Sequence, residues 1–281
     1  MRRLNIRARG VVAITILVLC GVIGQNIYKR ILYQQLAKAV FEGDLTATKR
    51  LLQKGASPRP TKGLLGFSIL NHRTEIAKRL IEAGAEPTGR ALALAVKEND
   101  TEIALLLLEK GADVTIGTRY FTISEPLLYS AADNENVQIV TALLQHHAPL
   151  DKPYDSTGVT PLHQSVIKNS ISIAELLLTA GANPNIPDIF LNTPLTSAVK
   201  NENLEMIRLL VHSHADIDQK GIKNYTPLLT ACAQGNEEIV AYLLEQKANT
   251  RATTIDGFTS LRLARAFPKI VEMLLKARAE E

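Results

Sequence analysis

Cysteine is nearly missing from this chain: among 281 residues only Cys20 and Cys232 carry a thiol. The first lies in an apolar run near the N-terminus and the second in a helical pattern far along the chain. They do not pair, so no disulfide framework holds the fold. Acidic residues are missing from positions 1–30, which hold Arg2, Arg3, Arg7, Arg9, Lys29 and Arg30. That stretch accounts for the isoelectric point near 9.0. Setting its six basic residues aside leaves 26 basic against 28 acidic residues, a net charge of −2. The remainder lacks the basic surplus that phosphate backbones demand, which argues against nucleic acid as a partner. Short catalytic motifs are missing too. There is no phosphate-cradling glycine loop, no G-x-S-x-G elbow and no H-E-x-x-H helix. Acid pairs such as Glu237–Glu238 and Glu202 with Glu205 sit at polar helix positions, without a pocket to shift their pKa values. No catalytic residue, cofactor site or metal site is expected.

A repeated phrase is present instead. Two large apolar residues, a three-residue gap and an alanine recur as LLQKGA (Leu51–Ala56), LIEAGA (Leu80–Ala85), LLEKGA (Leu107–Ala112) and LLQHHA (Leu143–Ala148). LLTAGA (Leu177–Ala182), LVHSHA (Leu210–Ala215), LLEQKA (Leu243–Ala248) and LLKARA (Leu274–Ala279) continue it. The closing alanines step by 29, 27, 36, 34, 33, 33 and 31 residues. A second phrase, TPLH at Thr160, TPLT at Thr193, TPLL at Thr226 and TSLR at Thr259, repeats every 33 residues. Periods of this size mark stacked repeats.

Each unit reads as two short helices joined by a polar turn. In the unit from Thr226, TPLLTACAQ and NEEIVAYLLEQ meet at Gly235–Asn236. Thr226 suits the N-cap and Pro227 the first helical position, where a missing N–H costs nothing. Ala231 and Ala233 allow close approach, while Ile239, Val240, Leu243 and Leu244 form an apolar stripe. The glycine before each closing alanine is placed to end the helix in a left-handed turn. Where His147, His214, Lys247 or Arg278 stands in its place, a left-handed turn costs roughly 1 kcal/mol.

These features resemble the ankyrin repeat family, with its G-x-TPLH-x-A turn and helix followed by a second helix ending in LL and GA. GVTPLHQSV with IAELLLTAGANPN, between Asp155 and Asn185, fits best. The resemblance runs over about Leu36 to Ala279 and implies an all-α ankyrin-repeat solenoid of stacked helix-turn-helix units with β-turn or hairpin loops, preceded by an N-terminal hydrophobic helix. It implies units near 31–60, 61–87, 88–116, 117–151, 152–185, 186–218, 219–251 and 252–281. The first three lack TPLH and run short, and in the last FPK replaces the glycine turn after Ala266. Atypical end units are what capping of a stack requires. In this family the histidine of TPLH, here His163, stabilises the turn by hydrogen bonding.

Ahead of the repeats, residues 1–10 are basic and Val11–Gly24 is an uncharged apolar run of 14 residues, or 18 if Gln25–Tyr28 are counted. The longer version approaches the thickness of a hydrocarbon core, about 30 Å. It is either a cleavable signal peptide or an uncleaved signal anchor. Val22-Ile23-Gly24 makes a passable cleavage site, and Leu19 spoils a lipobox at Cys20. Ile27, Ile31, Leu32, Leu36 and Val40 keep helical spacing into the first repeat, which favours a continuous helix and an anchor over 11–28. The arginines before the run orient the N-terminus to the cytoplasm and the repeats, 29–281, outside it. In a bacterium that compartment is the periplasm.

His146, His147, His212 and His214 look clustered in text but belong to units two apart. With stacked helices about 10 Å apart, the two pairs lie roughly 20 Å apart, too far to share an ion. What remains is surface. In the ankyrin family partners bind the turn tips and the first-helix face. Carried to this chain by position, that implies Thr157, Val159, Asn192, Lys223, Tyr225 and Phe258 at or beside the tips. It adds Asp133, Asn134, Ile167, Lys168, Val199, Lys200, Ala233 and Gln234 at the first-helix ends. Aromatics are only 5% of the chain. Yet Tyr120, Phe121, Phe190, Tyr225 and Phe258 all fall on this edge, where rings commonly anchor partners or pack tip against tip. The stretch Thr115–Glu125 is longer than its counterparts and is expected to project. The expected function is a non-catalytic, membrane-anchored scaffold for a protein partner. A secreted, effector-like interaction protein, or a regulatory or protective subunit of an exported enzyme, are the alternatives.

Overall fold

The computed structural model describes residues 24–59, 63–120 and 123–279, so the apolar segment 11–28 lies outside it up to residue 23. The described residues fall into two compact units divided after Ala112.

In the first unit, helix α1 (24–42) runs without interruption from Gly24 into the first repeat. It is followed by α2 (Leu45–Gln53), α3 (Gly63–Leu70), α4 (Thr74–Glu82), α5 (Gly89–Lys97) and α6 (Thr101–Glu109). α3 packs on α5 in one row, and α2, α4 and α6 form another. In the second unit a two-stranded hairpin, β1 (Thr118–Tyr120) and β2 (Ile123–Glu125), precedes the helices; Thr118 pairs with Glu125 and Tyr120 with Ile123. Then come α7 (Leu127–Asp133), α8 (Val137–Gln145), α9 (Pro161–Ile167), α10 (Ile171–Thr179), α11 (Pro194–Lys200) and α12 (Leu204–His212). α13 (Pro227–Gln234), α14 (Glu237–Glu245), α15 (Ser260–Leu263) and α16 (Pro268–Ala279) complete it. First helices α7, α9, α11, α13 and α15 pack in sequence, and each second helix lies against the first helix of its own repeat.

The recurring phrase now has a physical reading. In LLQKGA the Ala56 N–H donates to the Leu51 carbonyl at 3.0 Å and the Gly55 N–H to the Leu52 carbonyl at 2.9 Å. This is the pair of bonds by which a helix closes through a left-handed residue. The same alanine-to-leucine bond recurs from Ala85, Ala112, Ala148, Ala182, Ala215 and Ala248. Alanine is required because this position is buried, 2% exposed at Ala248, and the first leucine of each pair is buried beside it. The left-handed residue is Gly55, Gly84, Gly111 or Gly181 in four units, and His147, His214 or Lys247 in three, with φ of 58°, 65° and 64°. Arg278 differs: it stays inside α16 and makes no left-handed turn, so the strain expected there does not arise.

The first helix of each unit closes the same way, through Gly43, His72, Asn99, Glu135, Asn169, Glu202 and Gly235, all at positive φ. The next residue then starts the second helix. Asp44, Asp100, Asn136, Asn203 and Asn236 each accept a hydrogen bond from the third following residue's N–H as N-caps. The N-cap's own N–H also bonds back into the first helix, Asp44 to the Ala39 carbonyl at 2.9 Å and Asp100 to the Ala95 carbonyl at 2.9 Å, so the residue that begins one helix also closes the other. The two left-handed positions of a unit are 12 residues apart in every one of these seven units. The uneven steps in the sequence therefore lie outside this helix-turn-helix core. Between α4 and α5 only a short link remains, Ala83 to Thr88. Between α10 and α11 the chain projects a finger from Ala180 to Thr193.

At the start of the first helices, Thr160, Thr193, Thr226 and Thr259 are all N-caps, as expected. The last repeat departs in a further way. Arg262 and Arg265 are exposed at the positions where the preceding repeat buries Leu229 and Cys232. Burial pushes the Cys232 thiol up to about 12, leaving it a neutral core group.

Candidate protein-binding surface

The fingers of the second unit are braced from below by a relay of carboxamides and carboxylates. Asp151 accepts from Asn183 N–H at 3.0 Å, and Asn183 from Asn185 N–H at 2.9 Å. Asn185 accepts from Asp216 N–H at 2.7 Å and donates to the His214 carbonyl at 3.1 Å. Asp216 then accepts from Asp218 N–H, Asp218 from Asn249 N–H and Asn249 from Arg251 N–H. Each side chain satisfies a backbone donor that a bare loop would leave open. Higher up, backbone bonds join tip to tip: Ile189 N–H donates to the Thr157 carbonyl at 3.0 Å, and Ile255 N–H to the Lys223 carbonyl at 2.9 Å. These bonds join the fingers in two pairs, 154–159 with 187–192 and 219–225 with 253–258.

His163 links finger to helix. Thr160 N–H donates to its Nδ1 at 3.3 Å, and Nε2 lies 3.0 Å from the Asn192 carbonyl in the next finger, which fixes the proton on Nε2. Burial holds this imidazole below its ordinary pKa, against the raising influence of the Asn192 carbonyl and Asp188. The structural role expected of His163 is what the geometry shows. Tyr129 and Tyr154 stack with centroids 4.6 Å apart, and burial, with Asp133 nearby, pushes the Tyr129 phenol up to about 12.

The residues singled out from sequence divide into two groups. Ile167, Phe190, Lys200, Lys223 and Gln234 are exposed, with Phe190 58% accessible. Ala233 is exposed as well, and several of the others are engaged within the fold. Asp133 accepts from Gln164 at 2.7 Å and pairs with Lys168 at 3.1 Å, and Asn134 caps α7. The Thr157 hydroxyl donates to the Tyr154 carbonyl at 2.5 Å, and the Val159 carbonyl accepts from Tyr154 N–H at 2.8 Å. Tyr225 and Phe258 are half-buried, the latter beneath Arg262 at 4.1 Å. Val199 corrects the expectation outright. It is fully buried, because it occupies the register position of Val166 and Cys232 on the inner face of its helix. Tyr120 closes β1, and Phe121 lies outside the described residues.

Sequence reasoning missed the aliphatic tips. Ile189, Ile222 and Ile255 stand 58%, 45% and 70% exposed, one repeat apart, with Leu191 beside them at 51%. Their 33-residue spacing is visible in the sequence and was the available signal. Among the described residues no group of three or more histidine, cysteine, aspartate or glutamate side chains converges, and His146, His147, His212 and His214 are all exposed.

Comparison with known proteins agrees with this geometry. A family model described as "Ankyrin repeats (3 copies)" matches residues 36–118, 123–188 and 195–281. The chain belongs to the ankyrin repeat family. A second model, "Ankyrin repeats (many copies)", matches residues 174–211 of this ankyrin repeat chain. No curated protein matches it. Among solved structures 540 chains match, so the fold is widely shared and does not by itself single out a partner. One is the ankyrin repeat domain of Bcl-3, described as a unique member of the IkappaB protein family. It shares 23% identity, covering 75% of this chain and 97% of that one, with a TM-score of 0.64. At that identity the likeness is one of fold.

Proposed function

We propose that this ankyrin repeat chain is a non-catalytic scaffold that holds a protein partner on the fingers and first-helix face of its second unit. A membrane tether at residues 11–28 keeps the repeats outside the cytoplasm. The observation that carries the binding surface is the exposed row Ile189, Phe190, Leu191, Ile222 and Ile255, on fingers that backbone bonds join in two pairs. Apolar side chains presented together on a rigid edge favour burial by a partner. In the first unit the link from α4 to α5 is too short for such a finger, and the exposed aliphatic row that supports the docking surface lies wholly within residues 113–281. For the tether, support comes from α1, whose first turns expose Ile27, Tyr28 and Ile31 directly after the apolar run. Among the described residues no helix is long and apolar enough to cross a membrane, and residues 11–23 lie outside them.

A photo-crosslinking amino acid at position 190 should trap a discrete adduct in cells of the source organism. The same group at Glu175, exposed on α10, should give none. Equal adducts from both positions would remove the finger surface from consideration. Phe190→Ala should weaken the adduct partner's binding and leave the melting temperature unchanged; an unfolded variant would show that the ring is packing. A compartment-sensitive reporter fused after Glu281 reads the topology, and a cytoplasmic signal would reverse the proposed orientation.

A further inference from the structure

The fingers 187–192 and 219–225 carry an uneven distribution of charge around their apolar tips. Phe190, Leu191 and Ile222 are exposed at 58%, 51% and 45%. The two fingers touch: a Cβ on Gly221 would lie 3.3 Å from the Leu191 carbonyl oxygen. Lys220 and Lys223 flank Ile222 and are exposed, and no carboxylate occurs from Gln219 to Tyr225. Lys200 reaches the base of the neighbouring finger, where its ammonium donates to the neutral Asn192 side chain at 2.5 Å. The carboxylate in that finger, Asp188, is already used. It accepts from Phe190 N–H at 2.8 Å, Asn192 N–H at 2.8 Å and the Asn192 amide at 3.0 Å. Three lysines with no acidic partner among the described residues, Lys200, Lys220 and Lys223, therefore lie on or beside the two fingers that carry this aliphatic and aromatic centre.

We infer that this site takes an acidic protein segment in which an aliphatic or aromatic anchor is flanked by aspartate or glutamate. The inference rests on the reading of the fingers as a protein-binding surface and specifies its partner's chemistry. The anchor would bury against Phe190, Leu191 and Ile222, and the flanking carboxylates would meet Lys200, Lys220 and Lys223. Opposite charge at the rim governs partner choice and encounter rate, while the apolar centre supplies the larger share of affinity. The apolar centre also argues against nucleic acid, whose binding draws chiefly on phosphate contacts.

The test selects a random peptide library on the purified full chain in a mild detergent. Selected peptides are then measured against the double variant Lys220→Glu/Lys223→Glu, against Ile222→Ser and Phe190→Ser, and beside a single-stranded oligonucleotide. The expected result is enrichment of acidic peptides with a leucine, isoleucine or phenylalanine anchor. Their binding should fall roughly tenfold or more in the charge-reversed protein and weaken as salt rises from about 0.05 to about 0.5 M. Neutral or basic peptides that bind the reversed protein equally, yet lose affinity in Ile222→Ser and Phe190→Ser, would overturn the acidic partner and leave the finger surface standing. Peptides indifferent to all these variants, or none recovered, would overturn both. Oligonucleotide binding that the lysine reversal abolishes, with no acidic peptide selected, would replace the protein segment by nucleic acid. Circular dichroism melts of each variant separate loss of binding from loss of fold.

Discussion

Replacing His163 by leucine offers a sharp test of how these repeats are held together. In the wild-type chain the imidazole accepts the Thr160 N–H and contacts the Asn192 carbonyl of the next finger. Thr160 is fully buried, so its N–H would lose its partner where water does not easily reach. An unsatisfied buried donor costs about 1–3 kcal/mol, and a lost bond at the half-buried Asn192 adds about 1. The repeat from Thr226 moderates that figure. It places Leu229 at the same position and starts its helix without a reciprocal cap, so leucine fits sterically. The expected loss at neutral pH is therefore about 1–3 kcal/mol, read by urea unfolding and by faster amide exchange in α9. The variant should also change the pH dependence. Because burial lowers the folded pKa, the unfolded chain takes up the proton first as pH falls below the ordinary histidine value of about 6.5. Stability from this group is present above that value and is lost towards the folded pKa, with a slope of at most about 1.4 kcal/mol per pH unit. The difference between wild type and His163→Leu should shrink between neutral and acidic pH. A difference that is absent at neutral pH, or that grows on acidification, would refute the assigned hydrogen bonds.

Further outcomes follow from the left-handed positions. Gly235→Ala combines a φ of 79° with a methyl that would run into the Phe267 ring, so a loss above about 1 kcal/mol is expected. The added substitution Phe267→Ala should recover the steric part; no recovery would mean the turn alone is responsible. His147→Gly and His214→Gly, at φ of 58° and 65°, should each stabilise by about 0.5–1 kcal/mol in thermal unfolding. Destabilisation would show that these side chains contribute more than their backbone strain costs.

Much of the architecture was legible because two local devices write themselves into the sequence. A leucine pair followed by glycine and alanine spells a helix end. Thr-Pro-Leu spells a helix start, and their alternation gives the repeat. The surface was harder to read. Val199 was placed outside because its helix end varies between repeats, but which side it faces depends on a register of seven or eight residues that a sequence pattern fixes poorly. Asp133 and Lys168 looked available as text and turned out to pair with each other across repeats. The aliphatic tips are harder to read, because an isoleucine at a turn is indistinguishable in sequence from a core residue, although Ile189, Ile222 and Ile255 keep the period as strictly as the threonines do. The relay from Asp151 to Arg251 was also written in plain view, as Asn183-x-Asn185 and Asp216-x-Asp218. Its meaning depends on which backbone amide each side chain meets, and only coordinates supply that.

The fixed spacing between the two left-handed turns of a unit has a bearing on how such a chain can change. An insertion or deletion inside that span would throw the stacking faces out of phase with both neighbours. One in a finger leaves the helix-turn-helix spacing of every unit in place and alters the reach of the loop and its bonds to the neighbouring fingers. The 36-residue step that ends at Ala148, with its added hairpin, shows the finger absorbing extra length. A recognition sequence or fluorescent label inserted between Phe190 and Leu191 should therefore leave the helix pairs in register, at the cost of the Asp188 bonds inside its own finger. Divergence among copies of this design would collect in the fingers first.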